Sequence, residues 1–378
     1  MSKAEYDPWS AIARIERELF TKCNTTLGAA PPNVLHHYTS SAGLLGILTS
    51  GTLFLSDAAF LNDSSEITYA RSVVCRVIEH RLAREREPRM QELYEIALEE
   101  FTGREAHVTS GFRYYVACFC EAADLLSQWR AYGSPGCGYA IGFSGDRLVR
   151  LGGRFAKQKS VALRRVIYDT NEQEQILETL IDCWRTELPS LEAETFRGAI
   201  MTLLFSLSMV LPQFKHPVFS EEREWRAITF LYGDSEIKRL RFRQSGSSIT
   251  PDVEFKIRTK GRKRPSNLPV IEIAHAPAAD PEFRKLTLRE LLRSLRYSTD
   301  DVGVAGSEYH FAVCRYSPAN STVKLMRPGF GPAAELPAPC WRDGVTPVAD
   351  HVALFQLNRG NRRAARDFGT RDQPHSLP

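Results

Sequence analysis

Residues 34–56 read VLHHYTSSAGLLGILTSGTLFLS, and the order of signals in this stretch decides the fold class. Val34 to Tyr38 predicts a short strand. Thr39 or Ser40 supplies an N-cap for a helix from Ser41 to Ser50, whose apolar face is Leu44, Leu45, Ile47 and Leu48. Gly51 closes that helix, because glycine takes the left-handed cap conformation at little cost. Thr52 to Ser56 predicts a second strand. No Gly-rich turn of the dinucleotide-binding type stands between strand and helix, which argues against a doubly wound sheet. With further strands interrupted by helical insertions downstream, the chain reads as α+β with a mixed sheet.

Working outward, Trp9, Ile12, Ile15, Leu19 and Phe20 at helical spacing predict a leading helix over 5–23, followed by a turn-rich linker to Pro32. Asp63 three residues before Glu66 has capping-box spacing and opens a helix toward Leu82. Residues 87–103 predict another helix. Strands are expected at 114–120 and 139–143, joined by a loop carrying Trp129 and Arg130. Residues 171–211 are expected to be helical with a break near Pro189. Strands follow at 223–230, 240–243, 254–258 and 270–274, then a helix at 287–295 and a strand at 310–314. From Pro328 the chain is rich in Pro, Gly and Arg and predicts a loosely packed tail, with 348–357 as a short docking helix. This gives three regions: 1–32, a main domain over 33–325, and a tail over 326–378.

The 378 residues are 43% hydrophobic and 25% charged, an ordinary globular composition. The most apolar run, Ala199 to Leu211, is too short to span a bilayer. The opening residues lack a secretory pattern. The eight cysteines are scattered, with no paired CxxC motifs and no HExxH, so reduced thiols in a cytoplasmic protein without a metal are expected. The net charge of +4 is unevenly spread: ten Lys or Arg against Asp252 and Glu254 give +8 between Lys238 and Arg264. Such a segment attracts phosphates of a nucleotide or a nucleic acid, or is a solvated basic hairpin.

Three places carry residues suited to chemistry. His37 shares a strand face with Leu35 and Thr39, and at a strand end it can bond a ribose hydroxyl or simply a neighbour. Residues 219–230 read FSEEREWRAITF. If the segment is extended, Glu222, Glu224 and Arg226 share one face, and Arg223, Trp225 and Ala227 the other. The first face is then either the wall of a cleft or a solvent-facing charged strand. Trp129 and Tyr132 either stack on a flat ring or cover a core.

Taken together, His37-Tyr38-Thr39-Ser40, Gly43-Leu44-Leu45, Leu61-Asn62-Asp63 with Glu66, Cys118 to Glu121, Trp129 with Tyr132, Tyr139 to Phe143, Phe214-Lys215-His216, Glu222 to Arg226, and Leu268 to Ile273 with Ser307 resemble the bacterial domain-of-unknown-function family 2971. That family is similar to ADP-ribosyltransferases. Its opening pattern looks like the start of the RNA 2′-phosphotransferases and of the DNA-targeting ADP-ribosylating toxins. The resemblance implies a split sheet around a cleft that takes NAD as substrate, with no metal. Glu224 would be the catalytic carboxylate and Glu222 its partner. His37, Tyr38, Thr39, Ser56, Asn62, Trp129, Tyr132 and Arg226 would bind the NAD. The acceptor would be a protein or a nucleic acid, the latter contacted through 238–264, and the role that of a toxin or phage-defence effector. The alternatives are a non-catalytic nucleotide- or nucleic-acid-binding module on the same fold, and a nucleic-acid-modifying enzyme that takes a phosphorylated RNA.

Overall fold

The computed structural model describes residues 8–60, 65–103, 112–132, 138–152, 161–188, 196–232, 234–245, 248–258, 268–276, 280–295, 315–317 and 322–324. The expected strand at 310–314 and the expected tail with its docking helix lie outside them. The chain is α+β. Its elements are α1 (Pro8–Lys22), β1 (Val34–Ser40), α2 (Ser41–Ser50), β2 (Thr52–Asp57), α3 (Ser65–Arg84), α4 (Pro88–Thr102), β3 (Phe112–Cys120), α5 (Leu126–Tyr132), β4 (Gly138–Ser144), α6 (Gly145–Gly152) and β5 (Ala162–Arg165). They continue with α7 (Thr170–Glu187), α8 (Phe196–Val210), β6 (Glu224–Tyr232), β7 (Leu240–Ser245), β8 (Ser248–Lys256), β9 (Val270–His275), α9 (Pro281–Ser294), and the small hairpin β10 (Arg315–Ser317) and β11 (Thr322–Lys324).

The strand–helix–strand opening is present, and its local chemistry is that of the sequence. The Ser40 side chain accepts a hydrogen bond from the Gly43 N–H. Gly51 ends α2 at φ 68, a left-handed conformation that strains a residue with a Cβ, and that Cβ would also crowd the Arg258 side chain, so glycine is favoured.

Nine strands form one sheet in the order β7-β8-β2-β3-β1-β4-β9, with β6 on the other edge of β3 and β5 beyond it. Every ladder among the described strands is antiparallel, which corrects the expectation of a mixed sheet. The strands β1 and β2, joined by α2, do not pair with each other. β6 covers one edge of β3 from Phe112 to Cys120. The other edge is shared: β1 touches it at Cys120 through His36, and β2 touches it at Tyr115 and Val116. Between these points β1 leaves to pair with β4, and β2 leaves to pair with β8. The sheet is therefore forked along residues 117–119 of β3.

Each face of the sheet buries its own core. Tyr115, Ala117, Phe119, Trp225, Leu53, Leu55 and Phe143 pack with apolar residues of α2, α6 and α9 on one side. On the other, α1, α3, α4, α7 and α8 form a helical layer around Trp184, Tyr94 and Phe214. The leading helix belongs to that layer, since Ile15 and Leu19 are buried in it; residue 32 is thus no boundary of packing. The β8 strand begins at Ser248 rather than 254. Pro251 is tolerated because it lies where β8 has only β7 beside it, beyond the stretch paired with β2.

Candidate functional site

His37 sits in the fork. Its Nδ1 donates to the Cys118 carbonyl at 2.9 Å, satisfying a backbone acceptor at the point where β1 and β2 diverge from β3. Burial pushes the His37 pKa down, the carbonyl bond opposes this, and the Arg243 guanidinium pushes it further down. A neutral ring whose Nδ1 donates leaves Nε2 as an acceptor, the right polarity for a hydroxyl group. At the other side of the fork, Arg243 donates to the Ser56 hydroxyl at 2.8 Å and pairs with Asp252 at 2.6 Å.

One strand further, the start of β6 holds a buried ion network. Arg226 bonds Glu224 through Nε at 2.8 Å and Nη2 at 3.0 Å, pairs with Glu66 of α3, and donates to the Pro212 carbonyl at 2.9 Å. Lys215 Nζ lies 2.6 Å from Glu222, 3.0 Å from Glu224 and 2.9 Å from Glu66. The Glu224 N–H donates to the Tyr168 hydroxyl at 3.0 Å. Glu224 and Arg226 are each 2% exposed, so the reading of a solvent-facing charged strand does not hold. Three carboxylates stand against two cations, leaving one negative charge in excess inside the fold.

Glu222 reaches this network by a route the sequence reading missed. It lies in a 3-10 segment, Pro217–Glu222, not on the strand. Arg223 turns the chain with φ 41, a left-handed conformation that is strained for a residue with a Cβ. That turn brings Glu222 and Glu224 to the same ammonium. Trp225 faces the opposite core, where its Nε1 donates to Glu121 at 3.1 Å.

The two carboxylates differ in acidity. Burial alone would raise the Glu224 pKa, but Arg226 and Lys215 outweigh it and hold Glu224 at about 2. Burial raises the Glu222 pKa, with Lys215 opposing. Environments that separate the pKa values of neighbouring carboxylates mark an acid–base division of labour.

The remaining expected ligands fall in different places. Tyr132, 37% exposed, stands by the network at the end of α5; burial, Cys118 and Glu224 all raise its pKa. Thr39 pairs with Tyr139 and lies against the start of α2. Asn62 lies outside the described residues. Tyr38 and Trp129, 4% and 5% exposed, meet edge to face with ring centroids 4.7 Å apart in a small core with Cys120, Ala140 and Ala274. Residues 126–132, read as loop, form the helix α5, and Trp129 Nε1 donates to Asp124 at 2.8 Å. The Tyr38 hydroxyl donates to the Ala122 carbonyl and accepts from the Leu125 N–H, both at 3.0 Å. Tyr38→Phe strands both groups and is expected to lower stability by about 1–3 kcal/mol in denaturant unfolding; an unchanged unfolding midpoint would show that these two bonds do not hold the loop.

Lys215, Glu66, Arg243 and Cys118 are the site residues that local reading did not select. Lys215 and Glu66 stand within the motifs of the family resemblance, but no spacing aims them at β6. In the basic segment, Arg239, Arg241 and Arg243 pair with Glu236, Glu254 and Asp252, and Arg258 donates to the Leu48 and Thr49 carbonyls. The described part of that segment thus spends much of its charge internally; 259–264 lie outside it. An open groove of about 650 Å3 runs past the start of β6, lined by Glu121, Arg165, Tyr168, Asn171, Ser220 and Arg223. Among the described residues, no helix is long and apolar enough to cross a membrane.

A forked antiparallel sheet with a histidine in the fork and an acidic strand beside it defines an α+β protein with a polar site at the sheet's centre. Residues 128–227 match the model of a family described as protein of unknown function (DUF2971), which supports placing the chain in that family. The matched span runs from α5 to the first half of β6 and includes Tyr132, Lys215, Glu222, Glu224 and Arg226. Comparison with curated proteins and with solved structures gave no match.

Proposed function

We propose that this chain is an NAD-using ADP-ribosyltransferase-like protein that cleaves the nicotinamide–ribose bond and passes ADP-ribose to a protein or nucleic acid. The observation that carries this reading is the carboxylate pair on one ammonium at the start of β6, with Glu224 held ionised by Arg226 and Lys215 and Glu222 made the more basic of the two by burial. Departure of nicotinamide builds positive charge on the ribose, as in glycoside hydrolysis. A buried network with one negative charge in excess stabilises such a cation where it forms. Glu222 then takes the proton of the incoming acceptor. His37, neutral and one strand away beside Cys118, is the acceptor for a ribose hydroxyl, and Arg243 at the fork, held by Ser56 and Asp252, is a cation for a phosphate. Tyr132, 37% exposed, is the expected aromatic ligand that stands beside the network. A role as toxin or phage-defence effector would follow from this activity.

One observation favours a second reading, a nucleotide-binding module without catalysis. Both Glu224 oxygens are already held, by Arg226 and Lys215, and productive binding has to loosen one of those contacts. Incubation with NAD labelled in the adenosine half, followed by separation of free nicotinamide and labelled macromolecule, distinguishes the two. Release of nicotinamide supports the enzyme. Saturable NAD binding without release supports the module, and neither binding nor release removes the NAD reading.

A further inference from the structure

We propose that Lys215 is a positioning residue that sets the protonation of Glu222 and so makes it the proton acceptor of the pair. This rests on the NAD-using reading of the same site. A lysine is usually a mobile surface group, but this one is 6% exposed and its backbone is bolted down on both sides. The Lys215 N–H donates to the Ile167 carbonyl at 3.2 Å, and the Lys215 carbonyl accepts from Gln173 Nε2 at 3.0 Å. Gln173 is fully buried and also accepts from the Tyr69 hydroxyl of α3, the helix that carries Glu66. The ammonium therefore points at the carboxylates from a fixed base, with the Phe219 ring 5.1 Å beneath it.

Its three contacts are unequal in consequence. Glu224 keeps Arg226 if Lys215 is lost, and Glu66 keeps Arg226 as well. The cation against Glu222 is Lys215. Among the described residues, the other titratable or charged groups that act on the pair are Glu66 from α3, Cys118 and Cys120 from β3, Tyr132 from α5, Tyr168 after β5, and Arg226 on β6. Of these only Arg226 is positive, and it is spent on Glu224 and Glu66. Removing Lys215 thus leaves Glu224 ionised and lets Glu222 hold its proton to higher pH.

The test is the pH dependence of NAD turnover by the full chain with Lys215→Met and Lys215→Arg. The Met variant is expected to lose kcat on the order of tenfold to a hundredfold near about pH 6 and to recover as pH rises, its acid limb displaced upward. The Arg variant is expected to return the limb to its original position, with KM for NAD little changed in both. A uniform loss at every pH, or an unmoved limb, would show that Lys215 is only structural and overturn the proposal. If Lys215→Met does not fold, Glu66→Gln with Lys215→Met restores the charge balance and serves in its place. If the wild-type chain turns over no NAD, the functional reading fails, and carboxyl 13C titration decides Lys215 alone. Glu222 titrating higher in the Met variant supports it, and an unchanged titration overturns it.

Discussion

Arg226→Met is expected to destabilise the protein by about 3–5 kcal/mol, enough to remove much of the margin of an ordinary domain. The guanidinium is 2% exposed and bonds Glu224, Glu66 and the Pro212 carbonyl. Methionine fills similar space but leaves three carboxylates, Glu66, Glu222 and Glu224, sharing Lys215, and strands a backbone acceptor. Lysine in its place should rescue little, because one ammonium cannot reproduce the forked donation to Glu224 and Glu66. The loss should also depend on pH. Glu224 is depressed from 4.5 to about 2, so its contribution is present above 4.5 and disappears as pH falls through the folded value. Urea unfolding of wild type and variant should therefore differ most near neutral pH and converge between 4.5 and about 2. An equal difference at both ends would mean that Arg226 acts through packing alone.

Glu224→Gln is expected to separate turnover from binding. The amide keeps the size of the carboxylate and can still accept from Arg226, so the fold should survive; the network then holds two carboxylates against two cations. On the proposed reading, what is lost is the charge that meets the positive ribose in the transition state. Such contributions are worth roughly 3–4 kcal/mol, or on the order of a hundred- to a thousand-fold in kcat, with NAD affinity changing far less. On the same reading Glu222→Gln should cost less when water is the acceptor, since Glu222 is proposed only to take a proton. Full activity in the Glu224 variant would sink this assignment. A dead Glu222 variant beside an active Glu224 variant would reverse the roles.

The local pattern of 34–56 determined the strand, capped helix, left-handed glycine and second strand, because each of those choices is made by neighbours within a few residues. The alternation in 224–226 likewise determined that Glu224 and Arg226 share a face and that Trp225 turns to the opposite core, since side chains two apart on a strand point the same way. Local pattern failed where a longer-range preference won. Residues 126–132 read as a loop until Trp129 had a core to enter, and Glu222 read as strand until the left-handed Arg223 turned the chain beneath it.

The tertiary structure alone decided what the charges do. Glu66 arrives from a helix 160 residues earlier in the chain, and Lys215 is aimed by a buried glutamine on another helix. No period of 2 or 3.6 encodes those meetings. The fork was equally invisible, because β1 and β2 each have a complete strand pattern, and only the pairing of β3 with β6 along its whole length leaves a single edge for both. Sequence determined which residues carry charge and which face of a strand they occupy. The sheet's topology determined that they meet out of water, where a charge must find a partner or change its pKa.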